Sequence, residues 1–440
     1  MTPNPESSSR PADQGVDLAT PTIKGRAGSA GAAELTFAVA ATLAAVVLFL
    51  VGWAVLHRGF YTHDPIVDTP VYERYGSQID DGKLPYRDFA LEYPPGALPV
   101  FAVPALGDAG SETFRVRFEA LMAFFGEAMI VCVAIALVAL GAGRRRLVGA
   151  LAFVALAPLA LGPVVLSRFD LWPAALVAAA LAALVSGRLR LGHVALGAAI
   201  AAKLYPVVLA PVAVAYVWRR KGRREALVCA AALAAVVGLV FLPFLVLAPG
   251  GLWHSLWDQA SRPLQIESLG AGFLLVAHHV FGTAITVESS HGSQNLDGSA
   301  PDVLAAAQSL LQAAALVTVW VLFARGPARR DRLVLASAAA LVAFIALGKV
   351  FSPQFLIWLI PVVPLVRGRR GLVATALLGT ALVLTQLWFP YRYWQLALEI
   401  GTLESWLVLA RDLTLVALLL VLALPLRHAI PAVREPREAP

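Results

Sequence analysis

Acids and bases crowd into one stretch of an otherwise apolar chain. The segment VDTPVYERYGSQIDDGKLPYRDFALEYPPG, Val67 to Gly96, holds Asp68, Glu73, Arg74, Asp80, Asp81, Lys83, Arg87, Asp88 and Glu92. A carboxylate held near a hydroxyl can take its proton and so activate a poor nucleophile. Asp68 stands just ahead of Thr69-Pro70, where Pro in the first turn starts a short helix, VYERYGSQID, that Gly82 stops. Two readings of Asp68 follow: a charge placed favourably at a helix N-terminus, or a catalytic carboxylate at the boundary of membrane and water. The local signal alone leans to the first. Asp88 and Glu92 are the alternative acids; Glu92, just before Tyr93-Pro94-Pro95 at the entry to the bilayer, has a plain reading as a surface partner of Arg87, an interaction worth little. Asp80 and Asp81 beside Gly82 read as solvated turn residues.

Cations that could face a phosphate are scattered further along. They are Arg168 in SRFDLWP, Lys203 in AAKLYP, Arg262 in SRPLQIES and Lys349 in GKVFSPQFLIW. Arg168 could equally pair with Asp170, and Arg262 and Lys349 divide evenly between structural and functional readings. Lys203 favours function, because an ammonium deep in an apolar segment is costly without a purpose. His278-His279 are neighbours whose side chains diverge by about 100° on a helix, a poor metal pair. Arg411-Asp412 reads as an ion pair inside the last apolar run. No Gly-rich phosphate loop, HExxH, GxSxG or CxxC occurs, so soluble nucleotide chemistry and zinc hydrolysis lack support. Cys132 and Cys229 both lie in apolar segments and suggest neither a disulfide framework nor a thiolate site.

The elements that must position these groups are membrane helices. The 440 residues are 59% hydrophobic and 14% charged, with mean hydropathy +0.74, far from a soluble domain. Leu35–Leu56 carries no charge and is about 33 Å long as a helix, enough to cross a bilayer and too long for a signal peptide. The net charge of +7 is gathered in short clusters between apolar segments, at Arg144–Arg146, Arg188/Arg190, Arg219–Arg224, Arg325–Arg332 and Arg367–Arg370. That is the positive-inside pattern, not a nucleic-acid face.

With those clusters cytoplasmic, Leu35–Leu56, Leu147–Leu166, Ala226–Leu247, Leu333–Gly348 and Leu372–Phe389 run outward. Leu171–Val185, Val303–Ala324, Phe351–Val366 and roughly Trp406–Leu424 return. Gly96–Leu106, punctuated by Pro99 and Pro104, is a partial span or half of a broken pair. The apolar stretch between Arg190 and Arg219 has the wrong parity to cross once, so it should fold back at Lys203–Pro206 as two half-helices. A charge at that depth must line a wet cavity or be buried in protein. Nearly every unusual polar residue then falls on the external side, which points to one polar pocket there. Residues 1–34 and 427–440 read as cytoplasmic tails, the first disordered, around a transmembrane domain of residues 35–426 with an external loop at 57–93.

Taken in order, DTPVY, GKLPYRDF, EYPPG, SRFD, AAKLYP, RPLQIES and FSPQFLIW resemble glycosyltransferase family 87 over roughly Phe60 to Trp358. The resemblance implies an all-α polytopic membrane protein of GT-C type, with roughly 11–13 transmembrane helices and juxtamembrane helices in the first external loop. It implies an inverting hexosyltransferase of the cell envelope, mostly actinobacterial, that moves mannose from a polyprenyl-phosphate donor to a hydroxyl of a lipid or glycan acceptor. Asp68 matches the position of the family's general base. Lys203, Arg262, Arg168 and Lys349 are then the donor-phosphate cations, and Tyr72, Tyr93, Tyr205, Gln265, Gln354 and Trp358 line the substrate groove. A monophosphate leaving group can be met by these side chains, so the expectation is no cofactor, no obligatory metal, and no partner beyond donor, acceptor and membrane lipid. Two other classes share these features. A lipid or sugar transporter also uses broken helices with a cation at the bend, and a lipid-binding protein would use the same pocket without chemistry at Asp68.

Overall fold

The computed structural model describes residues 23–63, 66–107 and 109–427. Of the expected tails, 1–34 and 427–440, residues 1–22 and 428–440 lie outside the described residues, while residues 23–34 are helical and not disordered as expected. Helices dominate because the Ala/Leu-rich runs are long, and the Gly and Pro residues inside them, such as Gly126, Pro158 and Pro243, do not end the helix. Among the described residues five helices are long and apolar enough to cross a membrane: Gly31–Val55, Ser111–Ala139, Arg223–Leu247, Ser299–Arg325 and Thr402–Leu426. The first of these belongs to a helix that already begins at Ile23, earlier than the charge-free stretch from Leu35 suggests. Arg223–Leu247 shows its apolar side chains outward, with Leu239 and Val246 75% and 68% exposed, as a lipid-facing helix should. Arg330–Ala346 sits at the centre, nearly all of it buried.

The basic clusters meet at one end of the bundle. Arg144 pairs with Glu34 at 3.0 Å and Arg190 with Glu225 at 2.8 Å. Arg219 donates to the Ala324 carbonyl, Arg332 to that of Leu426, Arg330 to that of Ala139 and Arg146 to that of Leu365. These contacts stitch all five clusters together and give the bundle a basic end. The Arg190–Glu225 pair also settles the parity problem. Leu189–Ala202 climbs away from the basic end, the chain breaks at Lys203, and a 3₁₀ turn (Tyr205–Leu209) and the helix Ala210–Lys221 return to it. Fourteen residues of helix raise Lys203 about 21 Å above the basic end.

Phe351–Val366 departs from expectation. It is not an α-helix but a string of turns with 3₁₀ pieces at Pro353–Trp358 and Val363–Leu365. Pro353, Pro361 and Pro364 remove three backbone donors from a short run, and the irregular backbone is tolerated because it is buried against other helices. Residues 249–302 form a cap with the helices Pro249–Ser261 and Leu269–Phe281 and a small antiparallel sheet. The two-residue strand Leu264–Gln265 pairs with Ser293–Asp297, which pairs in turn with Thr286–Ser290.

The first-loop helix forms as the sequence predicts, at Thr69–Asp80, with Pro70 in its first turn. It lies on the helix Leu98–Ala105 through Tyr72, Tyr75 and Gly76. A Cβ at Gly76 would stand 2.3 Å from the Phe101 carbonyl oxygen and 2.7 Å from Ala105 Cβ. Gly76→Ala must push the two helices apart, so we expect a loss of about 1–3 kcal/mol, read as a lower midpoint of thermal unfolding in detergent.

Candidate active site

The end of the bundle away from the basic clusters gathers most of the predicted residues. Asp68 precedes the Thr69–Asp80 helix, yet its carboxylate does not cap the helix amides. Tyr72 donates to Asp68 Oδ2 at 3.3 Å, and Arg168 Nη1 pairs with the same oxygen. Both contacts fall on Oδ2, and the side chain stays 27% exposed, which leaves Oδ1 as the oxygen that can take a proton from outside. Arg168 is buried, in extended backbone between the short helix Val164–Ser167 and Leu171–Val185. The mutual Arg168–Asp170 pair offered by their proximity in sequence is not what forms.

Asp170 instead meets Lys203. Lys203 Nζ lies 2.6 Å from Asp170 Oδ1, and Trp358 Nε1 donates to the same oxygen at 2.6 Å. Asp170 is fully buried and its Oδ2 has no partner. The ammonium stands over three aromatic faces, Phe169 at 4.5 Å, Trp358 at 5.3 Å and Tyr93 at 5.9 Å. Tyr205 stacks on Trp358 at 3.9 Å with the rings 2° apart, and Phe355 stacks on Trp358 at 4.1 Å. Tyr72 and Tyr93 both pack edge-on against Phe169, at 5.7 and 4.9 Å. One aromatic wall thus joins Asp68 to Lys203. A carboxylate and a cation with spare N–H groups share a site, and the aromatic faces attract the cation while excluding water.

A third group of charges closes the site from the cap. Gln265 Nε2 donates to Glu267 Oε2 at 2.7 Å, and Glu267 is buried with Oε1 unpartnered. Its position is fixed by the strap through residues 262–268: Ile266 N–H donates to the Gln294 carbonyl and Gln265 N–H to that of Lys349. Arg411, paired with Asp412 at 2.7 Å, donates to the Glu267 carbonyl at 2.7 Å. Burial pushes the Glu267 carboxyl up to about 8, against the pull of Arg411, Arg168 and Arg262. Arg262 is itself lowered by burial, its Nε is without a partner, and it faces Glu92, Tyr93, Glu267 and Tyr393. Glu92 is raised by its crowded surroundings, opposed by Arg262 and Arg74.

Three predicted residues are not drawn into this cluster. Asp88 sits in an exposed turn, accepting from the Leu84 N–H at 2.8 Å and from Arg87, which hold it down to about 2. Lys349 donates to the Ala260 carbonyl at 3.1 Å and so props the turn before Arg262. Gln354 accepts from the Ser352 hydroxyl, beside the Phe355–Trp358 stack. Asp170, Glu267 and Tyr393 were not among the predicted site residues. Asp170 and Glu267 lie inside the motifs SRFD and RPLQIES, and a buried acid in each was the available signal; Tyr393 gave none. A cavity of about 630 Å³ opens at the basic end, lined by Arg188, Arg190, Lys221 and Glu225, and none of the site residues forms its walls.

The fold is thus that of a polytopic helical membrane protein with a carboxylate and buried cations in one aromatic-walled site at one end of its bundle. The pattern of glycosyltransferase family 87 matches residues 91–353, and the chain belongs to that family. The match begins after Asp68, in the segment that leads to Tyr93, and ends at Pro353, just before Trp358. A search of curated proteins found no match. Among solved structures the chain is similar to ArnT from Cupriavidus metallidurans bound to undecaprenyl phosphate, at 17% identity over 88% of this chain and 77% of that one, with a TM-score of 0.45. The chain is a membrane glycosyltransferase by family, and its all-α polytopic architecture is the one expected from the motifs.

Proposed function

We propose that the protein transfers a sugar, mannose, from a polyprenyl-phosphate donor to a hydroxyl of a lipid or glycan acceptor on the outer face of the cell membrane, with inversion at the anomeric carbon. The observation that carries this is the single site shared by Asp68 and Lys203, at the end opposite the basic clusters. The positive-inside tendency puts those clusters, and both termini, in the cytoplasm.

In this reading the acceptor hydroxyl gives its proton to Asp68 Oδ1 as its oxygen attacks the anomeric carbon, and the bond from that carbon to the phosphate oxygen breaks. The charge that grows on the departing lipid phosphate falls among Lys203, Arg262 and Arg168, cations already fixed in a dry setting. Tyr93, Tyr205 and Trp358 flank the lipid-linked sugar, with Gln265 at its edge. The lipid tail stays in the bilayer while the reactive carbon sits near the headgroups, and the site's height above the basic end suits that geometry.

A rival reading has a specific observation behind it. The helix pair broken at Lys203 also suits translocation of a lipid-linked sugar. Purified protein in sealed proteoliposomes, given polyprenyl-phosphate-mannose with labelled sugar and an envelope lipid extract, separates the readings. Transfer of label in the wild type and its loss in Asp68→Asn supports the enzyme; label crossing the membrane on an uncleaved donor supports a transporter; donor retention without cleavage supports a binding protein.

Glu267 makes a pH prediction. Its carboxyl is neutral below its raised value of about 8, and above it a new negative charge appears beside Arg168 and Arg262. That charge competes with the donor phosphate, so the KM for donor should rise as pH passes through about 8. In Glu267→Gln, which keeps the bond partners but not the proton, this alkaline rise should vanish. A wild-type donor KM flat from neutral to alkaline pH would contradict it.

A further inference from the structure

Next to the candidate base lies a groove that neither the donor cations nor the proton transfer uses. It holds about 430 Å³ and is lined by Ile66, Tyr391, Trp394, Gln395, Leu398 and Glu399. Ile66 is two residues ahead of Asp68, at most about 7 Å along the chain. Phe60 packs on Tyr391 at 4.3 Å, which ties the start of the first loop to this segment. The helix Tyr393–Glu399 is two-faced. Leu396 and Ala397 are buried, and Tyr393 turns toward Arg168, Glu267 and Arg262. Trp394 and Leu398, one turn apart, are 53% and 72% exposed, and Gln395 and Glu399 form a polar pair at the same spacing beside them.

We propose that this groove is the acceptor subsite and that it takes an uncharged sugar, its apolar face on Trp394 and its hydroxyls on Gln395 and Glu399. The inference rests on the glycosyltransferase reading and adds to it the class of acceptor and its side of approach. Three features decide among occupants. Among the described residues the walls hold one formal charge, Glu399, and no cation, so a phosphate would be repelled here while it is attracted at Lys203 and Arg262. An acyl chain would bring hydrocarbon against an amide and a carboxylate and leave them unsolvated, a costly arrangement. An aromatic face edged by hydrogen-bonding groups fits a ligand with an apolar face and a polar rim, and a pyranose has both. The base then stands between two approaches, with donor phosphate toward Lys203 and acceptor sugar toward Trp394.

Direct binding of an alkyl mannoside to the purified protein in nanodiscs, without donor, reads the groove independently of turnover. The matching alkyl alcohol serves as the sugar-free control. We expect the mannoside, not the alcohol, to bind the wild type, Trp394→Ala to weaken it at least tenfold, Trp394→Phe to restore most of the affinity, and Glu399→Gln to weaken it severalfold. In the transfer assay Trp394→Ala should raise the KM for the mannoside while the KM for donor stays within twofold. Equal affinity of wild type and Trp394→Ala for the mannoside, with both proteins folded by thermal unfolding, would overturn the subsite. So would equal binding of alcohol and mannoside, which marks an alkyl groove. A wild type that binds the mannoside through Trp394 yet cleaves no donor would overturn the catalytic reading and leave a sugar site.

Discussion

Asp68→Asn should lower the turnover of sugar transfer by about 10²–10⁴-fold, the usual worth of a positioned general base. The substitution keeps the shape and an oxygen for Tyr72 and Arg168, so the donor should bind with little change in KM. The two other acids of the loop serve as internal controls. Asp88 is tied into its own turn with Arg87 and the Leu84 N–H, and Asp88→Asn should transfer sugar at the wild-type rate. Glu92 faces Arg262, so Glu92→Gln should act on donor binding more than on turnover. If Asp68→Asn kept full turnover while Glu92→Gln lost it, the base would be Glu92, and the Asp68–Arg168 pair would be structural.

The second large effect concerns Lys203. Lys203→Met should abolish transfer, and it should also destabilise the fold, because it strands Asp170 in a buried position with only Trp358 as a donor. Removing one partner of a buried pair costs about 3–5 kcal/mol. The double variant Lys203→Met/Asp170→Asn separates the two roles. It removes the stranded charge, so most of the lost thermal stability should return while transfer stays absent. Wild-type transfer by the double variant would show that Lys203 holds the helix break together and nothing more. On the proposed role of Lys203 as a donor-phosphate cation, the loss should appear first in donor affinity.

The two ends of the molecule were already visible in the arrangement of its charges. Arginine clusters between apolar runs implied a shared end, and the stitching of Arg190 to Glu225, Arg219 to Ala324 and Arg332 to Leu426 is what that implication looks like in space. The break at Lys203 could be inferred from parity plus Pro206, and the first-loop helix from Pro70 and Gly82. Phe351–Val366 does run from the site end to the basic end, but as turns and 3₁₀ pieces, because length and apolarity cannot tell an α-helix from buried turns. Its three prolines carried the correcting signal. The ion-pair partners were beyond local reading. Arg168 reaches back a hundred residues to Asp68 and Lys203 reaches Asp170, choices made by which helices pack together. Glu267 became a candidate only once the sheet and Arg411 had enclosed it.

The most direct test of the account is the stoichiometry of donor cleavage. Wild-type protein, purified and placed in nanodiscs with defined polyprenyl-phosphate-mannose and acceptor, is followed by mass spectrometry of both lipids. The account predicts one free polyprenyl phosphate for each mannose gained by the acceptor, with neither product formed by Asp68→Asn. Intact donor in the wild type, after the acceptor and the donor have both been shown to bind, would contradict it.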